Sequence, residues 1–219
     1  MPRILFSKTG DAVWMSHLDL MRLFQRAFKR AGLPLTHTQG YNPRPSVSIA
    51  LPLSVGVESV CELLDFDLEG ENVPCDEITA KLNAVLVPGV RVLQTYENGA
   101  KLKDLALLQC ELTLEYDGGV PQEAGERISE LFRRESVIVE KKGKNGLVQQ
   151  DIIPLIRRME LAQTDAHTLT LSALICCQNP TLNPAQLSAA ITNYLPRYAP
   201  DFIRYRRLEI LTSQEKQFR

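Results

Sequence analysis

The pattern of apolar and polar positions in the first hundred residues predicts two amphipathic helices among four short strands. Short alternating runs rich in β-branched residues indicate strands, and apolar residues spaced by three and four indicate helices. The predicted elements are a strand at Arg3–Lys8, a helix from about His17 to Ala31, strands at Ser46–Leu51 and Val60–Leu68, a helix at Pro74–Leu86 and a strand at Val90–Tyr96. Their order is therefore β-α-β-β-α-β.

The first predicted helix has clear start and stop signals. Ser16 stands at the N-cap position, and Asp19 follows three residues later as a weaker form of the capping-box acid. Gly32, followed by Pro34, ends the helix. The next segment, 35–45, is rich in Gly, Asn and Pro. We expect an ordered loop without regular secondary structure there.

The second half of the chain repeats the same order around an extra hairpin. Its predicted elements are a strand at Leu107–Tyr116, a helix at Pro121–Arg134, hairpin arms at Ser136–Lys141 and Leu147–Ile152 about a turn at Gly143–Gly146, strands at Arg158–Gln163 and Leu169–Cys176, a helix capped by Asn183 and running from Pro184 to about Leu195, and a strand at Phe202–Leu211.

Two successive β-α-β-β-α-β units predict an α+β protein of two tandem ferredoxin-like domains with antiparallel sheets. Asn98 and Gly99 mark the joint. The predicted domains are residues 1–99 and residues 100–219, the second with an inserted hairpin. The duplication rests on the order of elements alone, because the two halves share no sequence self-similarity. A single larger α+β domain is the alternative.

Composition and termini favour a cytoplasmic protein. The chain is 44% hydrophobic and 23% charged, as in ordinary soluble proteins. Its five cysteines are odd in number and lack CxxC spacing, which argues against a disulfide framework and a structural zinc site. The N-terminus lacks the features of a signal peptide, and no apolar run approaches 18 residues. We therefore expect no membrane partner.

The net charge of −1 conceals a strong asymmetry along the chain. Residues 1–45 carry seven Lys and Arg against two Asp and Glu, whereas residues 46–100 carry two against nine. Residues 151–219 carry eight against six. The two ends are therefore basic and the middle is acidic.

Four cations lie on one side of the first helix. These residues are spaced by three and four positions, opposite the apolar stripe: Arg22, Arg26, Lys29 and Arg30. Four cations on one face with no acid among them form a phosphate-sized electrostatic footprint. Arg44, beyond the loop, either extends this patch or merely lies on a turn. The alternative is an ordinary solvated face that offsets the acidic middle.

The start of the same helix is a second candidate site. Backbone N–H groups there favour an anion, so a phosphate or carboxylate could lie on Ser16, His17 and the first turn. In the alternative, Ser16 and Asp19 only cap the helix and His17 is simply polar. His17 and His37 could also converge as an acid/base pair, although a separation of twenty residues does not establish this.

The loop after the helix offers turn chemistry and an aromatic ring. Gly40 supplies a positive φ, Asn42 a side-chain cap and Pro43 a fixed exit. Tyr41 could stack on a nucleic-acid base. In the alternative, the tyrosine packs against the backbone of its own loop.

The last strand carries a further cluster of arginines. Strand alternation places Arg204 and Arg206 on one face, with Tyr205 and Arg207 on the other. A sheet that shows Arg and aromatic side chains to solvent is typical of RNA-binding platforms. Charges that protect an edge strand from aggregation would give the same pattern.

Common catalytic signatures are missing from the sequence. It contains no GxxxxGK[ST], strand-to-helix GxGxxG, HExxH or GxSxG. It also lacks CxxxCxxC, the spacing that would hold an iron–sulfur cluster. We therefore expect no cofactor in this chain, and the sequence does not require an enzyme.

The run SHLDLMRLFQRAFKRAGLPL, followed by TQGYNPRPSVSIALPLSVGVES and ELLDFDL, resembles a bacterial family of uncharacterised radical-SAM-linked proteins. The resemblance covers nearly all of the first half and, more weakly, the second. In the family pattern the loop more often reads Gly-Phe-Asn-Pro-His-Pro, whereas Tyr41 and Arg44 stand here. This departure weakens any assignment of a catalytic histidine to the loop.

Members of that family resemble companions of cobalamin-binding radical SAM enzymes, either fused to them or encoded beside them. The resemblance implies that the cluster belongs to the partner. Our leading hypothesis is a non-catalytic accessory protein that binds an RNA substrate and presents it to a partner radical SAM enzyme. The alternatives are a protein scaffold for that enzyme without RNA binding, and a metal-independent endoribonuclease that uses His17 or His37 with Tyr41.

Overall fold

The computed structural model of the protein describes residues 1–70, 73–143 and 146–219. They form two compact units, one of residues Met1–Leu102 with Arg219 and one of residues Lys103–Phe218. The α+β class and the antiparallel strand pairing agree with the sequence prediction. The division into domains at residues 99 and 100 stays a prediction, since compactness alone does not establish independent folding.

The first unit has the element order that its hydrophobic pattern predicts. Its elements are β1 (Arg3–Lys8), α1 (His17–Arg30), β2 (Val47–Ile49), β3 (Val57–Phe66), α2 (Cys75–Asn83) and β4 (Val90–Tyr96). The strands pair antiparallel in the order β4-β1-β3-β2. The first strand is therefore central, and both of its neighbours come later in the chain.

The second unit adds a hairpin to the same succession. Its elements are β5 (Leu105–Glu115), α3 (Ala124–Phe132), β6 (Ile138–Gly143), β7 (Gly146–Asp151), β8 (Ile156–Asp165), β9 (Thr168–Cys176), α4 (Pro184–Tyr194) and β10 (Phe202–Thr212). Four strands pair antiparallel in the order β10-β5-β9-β8, and β6 pairs only with β7. Lys144 and Asn145 of the predicted turn lie outside the described residues.

Helix α1 is anchored to the sheet of the first unit by aromatic side chains. Phe24 meets Phe6 of β1 edge to face, with ring centroids 4.7 Å apart. Phe28 lies against Phe66 of β3 at 4.9 Å. All four rings are fully buried, and such pairs contribute more than their buried area alone. The packing directs the opposite side of α1 to solvent.

The capping predictions are confirmed for two helices. The Ser16 hydroxyl accepts a hydrogen bond from the Asp19 N–H at 3.2 Å. Asn183 and Gln186 form a reciprocal capping box at the start of α4. Helix α2 is shorter than predicted, because the chain turns after Asn83, whose side-chain amide donates to and accepts from the Val92 backbone of β4, both at 2.9 Å.

A buried ion pair ties the beginning of β1 to the end of β3. Arg3 Nε and Nη2 donate to the two carboxylate oxygens of Asp65 at 2.6 and 3.1 Å. Arg3 Nη1 also donates to the Ala100 carbonyl oxygen at 2.9 Å. The side chains of Arg3 and Asp65 are only 5% and 19% exposed. Such a pair stabilises a fold mainly through the cost of leaving either charge alone.

We expect Asp65→Asn to lower the free energy of unfolding by about 3–5 kcal/mol, because Arg3 would remain buried without its counter-charge. Urea denaturation followed by circular dichroism measures the change. The control is Glu77→Gln, which breaks the exposed Glu77–Lys81 pair of α2 (2.6 Å) and should cost at most about 1 kcal/mol. Equal effects of the two substitutions would show that the buried pair has no special role.

Candidate nucleic-acid interface

The cations of α1 all lie on its solvent side. Arg22, Arg26, Lys29 and Arg30 are exposed, opposite the buried stripe. Within the described part of the chain, no carboxylate lies within ion-pair distance of Arg26, Lys29 or Arg30. The guanidinium of Arg30 instead donates to the Val85 carbonyl oxygen at 2.6 Å. Arg26 and Lys29 are therefore the cations of α1 whose side chains are most available to a ligand.

The N-terminus of α1 already holds a carboxylate. The Ser16 hydroxyl donates to Asp19 Oδ2 at 2.7 Å, and Arg22 pairs with Asp19 Oδ1 at 3.3 Å. The hydrogen bond from Ser16 and, less strongly, the nearby Arg22 hold the pKa of Asp19 below its usual value. Ser16 and Asp19 therefore cap this end of the helix, as the capping alternative predicts, and the anion site on Ser16 and His17 stays a prediction.

The two histidines of the predicted acid/base pair lie at opposite ends of α1. His17 is its first residue, whereas His37 follows its last turn. A helix of 14 residues is about 20 Å long, and His37 lines the cleft beside the C-terminal half of α1. The structure therefore does not bring the two imidazoles together. His17 Nδ1 is buried, with no hydrogen-bond partner in the described structure. His37 Nδ1 lies 3.7 Å from Glu69 Oε1.

Residues 36–46 form a compact loop whose tip projects into solvent. The Thr38 N–H donates to the Arg44 carbonyl oxygen at 2.8 Å, and the Arg44 N–H donates to Thr38 Oγ1 at 3.0 Å. Thr38 thereby closes the loop, a role that the sequence assigned to Asn42. Gly40 has the predicted positive φ, +143°. Tyr41 is fully exposed, so it does not pack on its own loop as the alternative supposed.

A cleft of about 410 Å³ opens between the C-terminal half of α1 and the base of this loop. Its walls are apolar at Leu33, Pro34, Leu35 and Pro45 and polar at Gln25, Lys29, His37 and Glu69. Its size lies within the range of small-ligand sites, which are mostly apolar with a few orienting polar groups. Lys29 belongs to both the cleft and the cationic face of α1. Arg44 directly precedes Pro45 of the cleft wall.

The arginines of β10 occupy a different electrostatic setting. Arg204 and Arg206 are exposed and share one strand face, as predicted. Arg204 Nε lies 2.7 Å from Glu115 Oε1 on β5, and Arg206 stands opposite Glu111 in the register. Cross-strand carboxylates therefore neutralise much of this face.

The two aromatic residues of β10, Phe202 and Tyr205, lie on opposite faces of the strand. Tyr205 points to the helix side, where its hydroxyl lies 2.7 Å from the Ser188 hydroxyl of α4. The exposed aromatic residue on the face of Arg204 is Phe202. Tyr205 thus lies on the face opposite Arg204 and Arg206, as strand alternation predicts, and an RNA-binding platform on this sheet stays a prediction.

Sequence reasoning missed the cleft because its walls come from separate segments. Gln25 lies on α1, while Glu69 follows β3 and meets the loop base only in the folded chain. Helical spacing could have placed Gln25 beside Lys29, since the two residues are four apart. No local signal points to Glu69.

The described residues contain no group of three or more His, Cys, Asp and Glu side chains placed to hold a metal ion. All five cysteines are free thiols, and burial raises the pKa of Cys110 and Cys177 to about 12. None of the helices in the described ranges combines the length and apolarity needed to cross a bilayer.

Comparison with solved structures finds a likeness of fold. A Cbf5-Nop10-Gar1 complex matches 95% of this chain with a TM-score of 0.52 at 9% identity. The archaeal box H/ACA sRNP Nop10-Cbf5 complex matches 94% with a TM-score of 0.48 at 10% identity. The matches cover 48% and 46% of those chains, so this protein spans about half of their length.

Comparison with functionally curated proteins gives no match. One family profile, described as an uncharacterised protein conserved in bacteria (DUF2344), matches residues 2–184. The match includes α1, the loop with Tyr41, the cleft and most of the second unit. The description names no radical SAM enzyme. The chain belongs to the DUF2344 family of proteins conserved in bacteria.

Proposed function

We propose that the protein binds single-stranded RNA along the exposed face of α1 and in the adjoining cleft, as a non-catalytic accessory protein that presents the RNA to an enzyme. One observation carries the proposal: Lys29 lines the cleft, Arg26 lies one helical turn before it on the exposed face of α1, and the exposed Arg44 directly precedes Pro45 of the cleft wall. None of these three cations has a carboxylate partner in the described structure. Phosphate contacts supply most of the affinity in sequence-independent binding to nucleic acid.

The cleft and the loop tip add what cations alone lack. The apolar walls of the cleft suit a nucleobase. Its polar residues Gln25, His37 and Glu69 could hydrogen-bond the edge of an unstacked base. Tyr41 offers an exposed ring at the tip of the neighbouring loop. Unpaired bases stack readily on such rings, whereas a duplex would keep its bases inside. This combination favours a single strand over double-stranded RNA.

The enzyme partner that we propose is a cobalamin-binding radical SAM enzyme. Its support is the resemblance of the segments around α1 and the 36–46 loop to radical-SAM-linked proteins. In this proposal the iron–sulfur cluster and the cobalamin belong to the partner. The acidic segment from Glu58 to Glu77 is a candidate surface for docking the partner enzyme.

We further propose that each unit is a ferredoxin-like domain. The order β-α-β-β-α-β in the first unit supports this, as does the central position of its first strand. The second unit has the same succession once β6 and β7 are set aside. The likeness to the Cbf5 complex is one of fold and carries no information about the ligand.

The first test is the binding of fluorescein-labelled oligouridine, measured by fluorescence anisotropy over a range of salt concentrations. Three or four phosphate contacts on a single strand predict a slope of log K against log salt of about −2 to −3. Arg26→Ala and Lys29→Ala should each weaken binding about fivefold at 0.1 M salt and reduce the slope by about 0.7.

Arg204→Ala is the matched control, because this exposed arginine already pairs with Glu115. We expect its affinity for oligouridine to equal that of the unmodified protein. Equal losses for Arg26→Ala and Arg204→Ala would indicate non-specific attraction. A slope near zero, or binding of the partner enzyme but of no RNA, would refute the proposal in favour of a protein scaffold.

Removal of the Asp19 charge should strengthen RNA binding. Asp19→Asn releases Arg22 and removes the one acid of α1, so we expect affinity to rise by up to about fivefold at 0.1 M salt. Glu77→Gln, at the corresponding first turn of α2, should leave affinity unchanged. The same anisotropy titration measures both variants. Unchanged or weaker binding by Asp19→Asn would place the RNA away from this end of α1.

A further inference from the structure

The single tryptophan of the chain lies on the surface. Trp14 is the last residue of a short 3-10 segment, Gly10–Trp14, just before the N-cap of α1, and it is 67% exposed. Tryptophan is the side chain with the largest apolar surface to bury, and most tryptophans are largely buried. Its exposure therefore suggests a ligand.

One face of the Trp14 indole packs against the backbone of Gly56. A Cβ atom at Gly56 would lie 3.4 Å from Trp14 Cζ3, so the ring packs directly over the bare backbone of this glycine. The Gly56 N–H donates to the Val13 carbonyl oxygen at 2.8 Å and fixes the two segments together. Gly56 has φ of +82°, which other residues rarely adopt. The ring is thus preorganised and needs little ordering when it binds.

Trp14 is followed in the chain by the helix that carries the cations, α1. Leu18, four residues on, is 64% exposed, and Arg22 and Arg26 follow at successive intervals of four on the same helix. An exposed indole that precedes a helix with a cationic solvent face fits a ligand that alternates aromatic bases with negative phosphates. Single-stranded nucleic acid has this chemistry in every repeat.

We propose that Trp14 stacks an RNA base and marks the beginning of a binding track that runs along α1 to the loop of Tyr41. This inference rests on the proposed function and extends it. The two aromatic residues flank a helix of about 20 Å. At the roughly 3.4 Å rise of a stacked strand, this length corresponds to about six nucleotides. The track therefore takes a short single strand with one stacked base near each end.

The experiment uses the intrinsic fluorescence of Trp14, which reports on this one position because the chain has no other tryptophan. Titration with an oligouridine hexamer should change the emission with the same Kd as the anisotropy measurement, because a stacked base quenches the indole. Trp14→Ala should weaken binding by roughly 5-fold to 150-fold. Its salt slope should stay unchanged, because no charge is lost.

Two variants separate stacking from loss of structure. Trp14→Phe should recover most of the affinity, since it keeps an aromatic face. Phe202→Ala, which removes an exposed aromatic residue of the second unit, should bind as the unmodified protein does. Circular dichroism checks that each variant is folded.

The possible failures are distinguishable. Oligouridine binding that Trp14→Ala leaves unchanged, while Arg26→Ala still weakens it, would overturn the stacking inference and leave the proposed function intact. No binding of RNA by the unmodified protein would overturn both. An emission change with polyglutamate, and none with oligouridine, would overturn the inference in favour of an acidic protein partner.

Discussion

Two pairs of phenylalanines hold α1 on its sheet, and the rest of the first unit depends on this packing. Phe24 and Phe28 follow one another by one helical turn, and they meet Phe6 and Phe66 on the two central strands. The helix cannot turn about its axis without moving these rings into water and cations into the core. The aromatic contact thereby fixes which charges face solvent, and it sets the position of the cleft beside the last turns of the helix.

The distribution of charge along α1 stabilises the helix and also determines where the proposed RNA is attracted. Asp19 lies in its first turn and Lys29 and Arg30 in its last, so each end opposes the partial charge of the helix dipole. The Asp19 carboxylate weakens the attraction of the N-terminus for anions, while Lys29 at the other end borders the cleft. A polyanion would therefore meet its strongest attraction at the C-terminal half of the helix.

Arginines of the two units differ in whether a neighbouring carboxylate pairs with them. Arg204 is as exposed as the arginines of α1, yet Glu115 on the adjacent strand holds its guanidinium. Charges paired across a sheet stabilise the strand register and leave little net field outside. Arg26 lies on a helix whose neighbouring positions bear no acid, so its field extends into solvent. This difference explains why the first unit is the proposed RNA-binding part.

The sequence by itself determined what depends on neighbours along the chain. The capping of α1 by Ser16, the cationic face of that helix and the shared strand face of Arg204 and Arg206 follow from local periodicity and local hydrogen bonds. Tertiary structure decided what depends on residues far apart in sequence. The separation of His17 from His37 by a full helix, the approach of Glu69 to Lys29 across the cleft and the pairing of Arg204 with Glu115 all required the folded chain. Local patterns carry no information on these contacts, because the packing of whole elements brings the side chains together.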